Sequence, residues 1–514
     1  MTKAGYLTSV VVSALLPSSL MAAEDPHIKQ VEQGLLPIAA IHPGVSVNIE
    51  DRMRTYGVPG LSIAVIDGGR IAWAKGYGLA DSVSGRTVNP KTLFQAASIS
   101  KPISAMGVLL LVQQGHLQLD EGANQALVSW KIPDNTFTRG HPVTVRMLLN
   151  HTDGLDHPDS DFGPHYNEAG RLPSLPQILA GEAPARRGGV SVISIPGSTF
   201  AYSSAGYEVL QQLVTDVSGE TFEQHMQANV FVPLGMKDST FAQPLVASFR
   251  SVAASGHYAG GQRLPGHIRL GPELAVGGLW TTPTDVAQYV ISVQKAYSGS
   301  EGEPLEPKMA HEMLAPGLGS RGLGPAISGE GQTSRFGHDG FNEGFESSFI
   351  AYERRGQGAV VMANSGFAFM LIKEVLSSVS RVYGWPDYGA TTQQPPSAMI
   401  QQQPVSPVSA EVLGAAAGHY LSGGTRITIY SDGNRLLLEW PTNGVAEVFA
   451  VPGGRFFCPP LTFSDVGSPW LKFVRDSKGV VTKILAGDDG SIEFRRLEHA
   501  PGSANSPPVP APAV

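Results

Sequence analysis

The sequence predicts an α+β protein: one antiparallel sheet receives both ends of a large first domain, and a small antiparallel barrel follows. Three observations carry that reading. Strand-like runs lie at both ends of residues 48–385, Leu61 to Asp67 and Arg70 to Gly76 early, Glu346 to Tyr352 and Gly358 to Ala363 late, with helical patterns between. A stretch rich in Pro and Gln, 386–408, reads as a linker. Beyond it come short apolar runs between turn residues, with no helical period. With 514 residues, 42% of them apolar, the chain can bury one large core and a second small one.

Residues 1–23 carry Lys3, the apolar run Val10 to Leu16 and Ala22-Ala23, the pattern of an export signal that places the protein in the periplasm or outside the cell. The apolar run is too short to span a bilayer, so no transmembrane segment is expected. Residues 24–47 are a lead-in. A net charge of −8 without any run of Lys and Arg argues against nucleic acid or an anionic membrane as partner, and leaves a small molecule or short peptide as the expected ligand. The single Cys458 allows no internal disulfide and reads as a buried apolar side chain. Oligomeric state is not legible.

The first helix is expected over Ile49 to Tyr56, stopped by Gly57. Two strands then meet across Gly68-Gly69, a hairpin signal. A long apolar helix starts near Ser98 and runs to Gln114. Val143 to Leu155 reads as a short helix closed by Gly154, and Asp156 to Thr199, full of Pro and Gly, as a loop that walls a site. Further helices are expected over Glu208 to Val217, after the start signal Thr284-Asp285, and over Leu371 to Val382. In 409–498 the runs Thr425 to Tyr430, Arg435 to Trp440, Ala446 to Ala450, Leu471 to Val474, Val480 to Leu485 and Ile492 to Arg495 make a small, lipocalin-like antiparallel barrel of about ninety residues. Residues 499–514, rich in Pro and Ala, read as a disordered tail.

Chemistry concentrates at Ser98 and Lys101. Three residues apart at a helix start, they share a face, so the hydroxyl and the amine can touch. A serine is a poor nucleophile until a base takes its proton, and a lysine among apolar groups loses its own proton more readily, because burial disfavours the cation. Ser98 also offers its backbone N–H, at the positive end of the helix dipole, to an oxyanion forming on an attacked carbonyl. The same spacing recurs at Ser292 and Lys295, but late in a helix, and that copy reads as structural. No metal is implied: His157 to His165 fails the calcium-loop pattern and there is no His-Glu-x-x-His. No cofactor is implied, and without a G-x-S-x-G the α/β-hydrolase route has no support.

Two further motifs follow in order, Tyr202-Ser203-Ser204 and His338-Asp339-Gly340. With Phe94 to Lys101, Leu148 to Leu155, Val276 to Trp280 and Gly340 to Ser347, the chain from about Asn48 to Tyr383 resembles the serine β-lactamase and penicillin-binding protein superfamily. The resemblance implies a β-lactamase/transpeptidase-like domain, an antiparallel sheet with helices on both faces plus a helical region. It implies that Ser98 is acylated, that Lys101 accepts its proton, and that Tyr202 relays protons as the acyl-enzyme forms and breaks. It also places His338 in the catalytic cleft, Ser204 and Gly340 against the substrate, and the N–H of Phe341, which follows the third motif on an edge strand, beside that of Ser98 in the oxyanion hole. His151 lies in a family-typical turn and reads as structural.

Two departures bear on substrate. His338 stands where the family has a lysine that pairs with a substrate carboxylate, and a histidine is mostly neutral at pH 7. Ser204 stands where the family has Asn, and a hydroxyl cannot both donate to and accept from a substrate backbone as an amide does. Both move the expectation toward the class C, D-aminopeptidase, D-amino-acid amidase and carboxylesterase branch, which also holds the peptidase of linearised microcystin. The expected enzyme is a serine peptidase or amidase for small or D-residue-containing peptides. Alternatives are a carboxylesterase, a weak β-lactamase, and a penicillin-binding fold that holds a ligand without turnover.

Overall fold

The computed structural model describes residues 25–35, 48–156, 172–258, 261–264, 270–366, 368–388, 409–422, 425–432, 435–440, 444–451, 454–458, 470–487 and 490–497. The stretch read as an export signal, the loop His157 to His165, most of the stretch read as a linker and the C-terminal residues read as a tail lie outside them.

Seven antiparallel strands form the central sheet: β1 (Gly60–Asp67), β2 (Arg70–Asp81), β3 (Arg86–Thr87), β4 (Ala326–Ser328), β5 (Arg335–Asn342), β6 (Phe345–Tyr352) and β7 (Gly358–Ala363), in the order β3-β2-β1-β7-β6-β5-β4. Both ends of the domain meet at its centre, where Leu61 faces Ala363, Ile63 faces Val361 and Val65 faces Ala359. Side chains on successive residues alternate between two buried faces. Leu61, Ile63 and Val65 pack under helices α1 (Pro26–Glu32), α2 (Ile49–Tyr56) and a C-terminal helix (Phe369–Val382), while Ala64 and Ile66 face the large core. That larger core holds α3 (Ser100–Gln113), α4 (Ala205–Ser218) and α5 (Pro283–Tyr297), and the C-terminal helix is hereafter α6. Covering both faces goes with the nearly continuous apolar run of β1, broken only by Ser62 before Asp67, and of β7, and each fully buried Ile or Val contributes about 1.5–3 kcal/mol.

Arg52 of α2 ties the outer layer together, donating to Glu374 of α6 through Nε at 2.9 Å and Nη2 at 2.8 Å, while Tyr56 donates to the same carboxylate at 2.7 Å.

Two expectations need correction. The helix expected over Val143 to Leu155 spans only Val145–Leu149, and the chain turns through His151 and Gly154, both with left-handed φ. The domain closes with three long strands, since Arg335–Asn342 is itself a strand, joined to β6 by the turn Glu343-Gly344. With Gly337, His338, Asp339 and Gly340 in its middle it has little intrinsic strand preference, and pairing with β6 imposes the conformation. Its neighbour β4 pairs only with 335–337, which leaves 338–342 at the sheet edge.

After helix α7 (Ala410–Ala416), strands β8 (Gly418–Ser422), β9 (Thr425–Asp432), β10 (Arg435–Trp440), β11 (Gly444–Val451), β12 (Arg455–Phe457), β13 (Trp470–Arg475), β14 (Val481–Ala486) and β15 (Ile492–Arg496) form a closed barrel. The sequence pattern missed β8 and β12. Strand β8 closes the ring by pairing with both β9 and β15. The interior is filled by its own side chains, among them Tyr420, Ile427, Leu438, Phe473 and the buried Cys458. Val451 and Trp470 dock the barrel on Met370 of α6, beside Tyr56.

Candidate active site

The nucleophile turn is held from two sides. Gln95 pairs with Trp280, the Ala96 N–H donates to the Leu279 carbonyl at 2.9 Å, and the Leu279 N–H donates to Ser100 Oγ at 3.1 Å. From the sheet, Ser347 Oγ donates to the Ala96 carbonyl at 2.9 Å. Gly340 makes this approach possible: a Cβ there would lie 2.3 Å from the Ala96 carbonyl oxygen. Ala97 takes a left-handed φ of 49°, uncommon for a residue with a Cβ, and turns the chain into the 3₁₀ turn Ala97–Ile99 that leads into α3. Helical bonding begins with the Ile99 N–H to the Ala96 carbonyl at 3.1 Å, so the Ser98 N–H precedes it.

Lys101 is buried, at 1% exposure, and its Nζ donates to Ser98 Oγ at 3.1 Å and to the Val276 carbonyl at 3.0 Å. The amine lies 5.0 Å from the ring centre of Tyr202 and 5.8 Å from that of Tyr207. Tyr202 is exposed on its other side, and Ser204 is buried at the start of α4. The three residues of the first two motifs that sequence singles out as chemical therefore meet.

His151, read from sequence as part of a turn, lies against Tyr202 with ring centres 4.4 Å apart. Its Nδ1 accepts from the Ser203 N–H at 3.3 Å, and its carbonyl accepts from the Ala201 N–H at 2.9 Å. Burial, and then the charges of Lys101 and Arg321, push its pKa well below the usual histidine range, which keeps Nδ1 able to accept.

His338 is buried on β5, with its ring centre 6.1 Å from that of Tyr202. Nδ1 lies 2.6 Å from the Asp339 carbonyl oxygen, which can only accept, so Nδ1 carries the proton and Nε2 presents a lone pair. Burial, followed by Arg321 and Lys101, lowers its pKa to about 3. Asp339, one residue on, points to the other face and accepts from Ser348 Oγ at 2.6 Å and from Lys373 of α6 at 3.3 Å. Phe341 pairs with Glu346 on the edge segment of β5.

Arg321 belongs to no sequence motif, yet its Cζ lies 5.4 Å from the Tyr202 ring centre and 5.7 Å from that of Phe200. Its Nη1 is buried without a partner among the described residues. The one available signal was a single Arg inside Gly317 to Gly324. Gly319 lets that loop press on Phe200, since a Cβ there would meet the ring at 2.4 Å. The second S-x-x-K stands apart: Ser292 is buried within α5 and Lys295 faces Glu303 at 3.5 Å. Among the described residues no cluster of His, Cys, Asp and Glu could hold a metal ion, and no helix is long and apolar enough to cross a membrane.

A family model described as Beta-lactamase matches residues 45–371. Protein flp of Staphylococcus aureus (strain MW2) is 24% identical over 326 residues, 62% of this chain and 61% of that protein, so the chain spans less than two thirds of this curated relative. The crystal structure of SurE with D-Leu has a TM-score of 0.51 at 21% identity, covering 87% of this chain and 97% of that one. D-amino acid amidase from Ochrobactrum anthropi SV3, complexed with L-phenylalanine amide, has a TM-score of 0.53 at 24% identity, covering 71% and 100%. These structural likenesses describe the fold.

Proposed function

The chain belongs to the beta-lactamase family, and from that premise we propose that it is a serine hydrolase working through an acyl-enzyme on Ser98, with small or D-residue-containing peptides and amides as substrates. One observation carries the reading most: the buried Lys101 amine lies 3.1 Å from Ser98 Oγ, close enough to exchange its proton. In this reading Ser98 Oγ attacks the substrate carbonyl while Lys101 takes the hydroxyl proton. The Ser98 and Phe341 N–H groups hold the oxyanion, and collapse expels the amine, which receives its proton by way of Tyr202. Water then enters by the same route reversed and releases the acid. The D-residue preference is supported by the similarity to D-amino acid amidase and to a protein crystallised with D-Leu.

An ester would pass through the same acyl-enzyme, so substrate class is tested by a panel. It comprises p-nitrophenyl esters, D- and L-aminoacyl anilides, nitrocefin and short peptides with D-residues. Amides or D-peptides should lead, and nitrocefin turned over as fast as the best of them would refute the proposal. Intact-mass measurement with a slow acylating inhibitor assigns the nucleophile: the adduct should vanish in Ser98→Ala and persist in Ser292→Ala. The reverse pattern removes Ser98 from the mechanism.

A further inference from the structure

Lys101 is directed by a backbone carbonyl, and that carbonyl sits on a segment fastened by side chains outside the three motifs. Residues 271–278 include only the four-residue helix Leu274–Gly277. Gln211 of α4, 5% exposed, grips the segment with both ends of its amide: Nε2 donates to the Pro272 carbonyl at 2.8 Å, and Oε1 accepts from the Ala275 N–H at 2.9 Å. The next residue is Val276, whose carbonyl accepts from Lys101 at 3.0 Å. One turn earlier on α4, Glu208 accepts from the buried Arg187 at 2.5 Å, and the same nitrogen reaches Glu273 at 3.2 Å. Gln243 brackets the segment, accepting from the Gly271 N–H at 2.9 Å and donating to the Gly278 carbonyl at 3.0 Å.

We infer that Gln211, backed by the Glu208–Arg187–Glu273 bridge, is a positioning device for Lys101: it fixes the Val276 carbonyl that aims the amine at Ser98. A four-residue helix has too few internal bonds to hold a carbonyl in place by itself, and side-chain amides at both ends of a short span do so without adding mobile charge. The inference rests on the proposed role of Lys101 as proton acceptor. The groups facing the amine are Ser98, Tyr202 and Tyr207, with His151 and His338 close enough to feel its charge. Gln211 adds no ionisable group to that set, so a change in acylation pH dependence on replacing it reports the position of Lys101.

The test uses the full chain with p-nitrophenyl acetate, following Ser98 acylation against pH. Gln211→Met keeps volume and removes both hydrogen bonds. It should lower the acylation rate constant about 10- to 100-fold with little change in KM, and displace the midpoint of the ascending, acidic limb of the rate profile, as expected for a misaligned proton acceptor. Glu273→Gln keeps an acceptor for Arg187 and should give a smaller loss of the same kind. A folded Gln211→Met that acylates at the wild-type rate with an unmoved limb overturns the inference. If Gln211→Met does not fold, an unmoved limb in Glu273→Gln overturns it equally. Absence of Ser98-dependent acylation in the wild type would instead sink the hydrolase reading on which this rests.

Discussion

Gly340→Ala tests how the third motif serves the first. The added Cβ would lie 2.3 Å from the Ala96 carbonyl oxygen, 2.3 Å from Ser347 Oγ and 3.2 Å from the Ala97 Cβ. Ordinary contact for a Cβ begins at 3.4 Å, so the Ala96–Ala97 turn and β5 must part by roughly 1 Å, and Ser98 moves with the turn. Overpacking of this kind costs about 1–3 kcal/mol of stability, whereas a displacement of that size at a reacting atom costs on the order of 10²-fold in rate. The expected variant is folded, modestly less stable and about a hundredfold slower in acylation, measured by stopped-flow release of p-nitrophenol and by intact mass. Adding Ser347→Ala removes one of the two 2.3 Å clashes, together with the bond to the Ala96 carbonyl, and leaves the other. Partial recovery at most is therefore expected in the double variant. Wild-type acylation in Gly340→Ala would refute the idea that this close approach sets the position of Ser98.

Three further outcomes are expected. Glu374→Ala strands the buried Arg52 guanidinium and should destabilise the first domain by about 3–5 kcal/mol in urea unfolding, with little effect on acylation at temperatures where it stays folded. Burial pushes Glu346 up to about 8, against the Ala368 and Phe369 N–H groups, which act in the opposite direction. The folded state therefore keeps this proton after the unfolded chain has lost it near pH 4.5, and stability falls as pH rises from about 4.5 to 8. Glu346→Gln should remove that fall, gaining roughly 2–4 kcal/mol relative to wild type between pH 5 and 8 in matched urea melts, and a gain independent of pH would contradict it. Met370→Asp places a charge under Val451 and Trp470 and should release the barrel, read as a larger radius of gyration in solution scattering, while small-ester acylation stays within about twofold. An acylation rate that collapses with undocking would mean that the barrel completes the site.

What could be read in advance depended on how local the cause was. Ser98 and Lys101 were legible because a contact three residues apart needs only a helix start. The hairpin at Gly68-Gly69 and the apolar runs of β1 and β7 were legible for the same reason, being set by neighbours in sequence. Strand β5 was legible only through the family resemblance, which puts Phe341 on an edge strand; its own residues Gly337, His338, Asp339 and Gly340 favour no strand and are extended through pairing with β6. Arg321 and Gln211 were out of reach too. Each acts through a loop or a backbone carbonyl brought close by tertiary packing, and a lone Arg among glycines or a Gln on an amphipathic helix has no pattern that sets it apart. His151 was visible as part of a turn, but its contact with Tyr202 depends on the left-handed φ of 61° that carries the ring beneath the phenol.

Helix α6 joins features that the sequence presents separately. Its first turn offers the Ala368 and Phe369 N–H groups to Glu346, Met370 receives the barrel, Lys373 holds Asp339 on the strand next to His338, and Glu374 closes the bridge to Arg52. Residues 338 and 339 point to opposite faces, so the strand that presents His338 to the cleft is anchored from behind through Asp339. A load on the barrel would thus reach His338 through one helix and one exposed ion pair, and the strand carrying Ser347 through the Glu346 contact, whereas Ser98 and Lys101 are fastened by Ser347, Leu279 and Val276, none of which belongs to the barrel core. Exposed pairs such as Lys373 with Asp339 transmit little, typically under about 1 kcal/mol. This asymmetry is why undocking should spare the acylation of a small ester, and why any effect of the barrel on turnover should fall first on substrates that reach as far as His338.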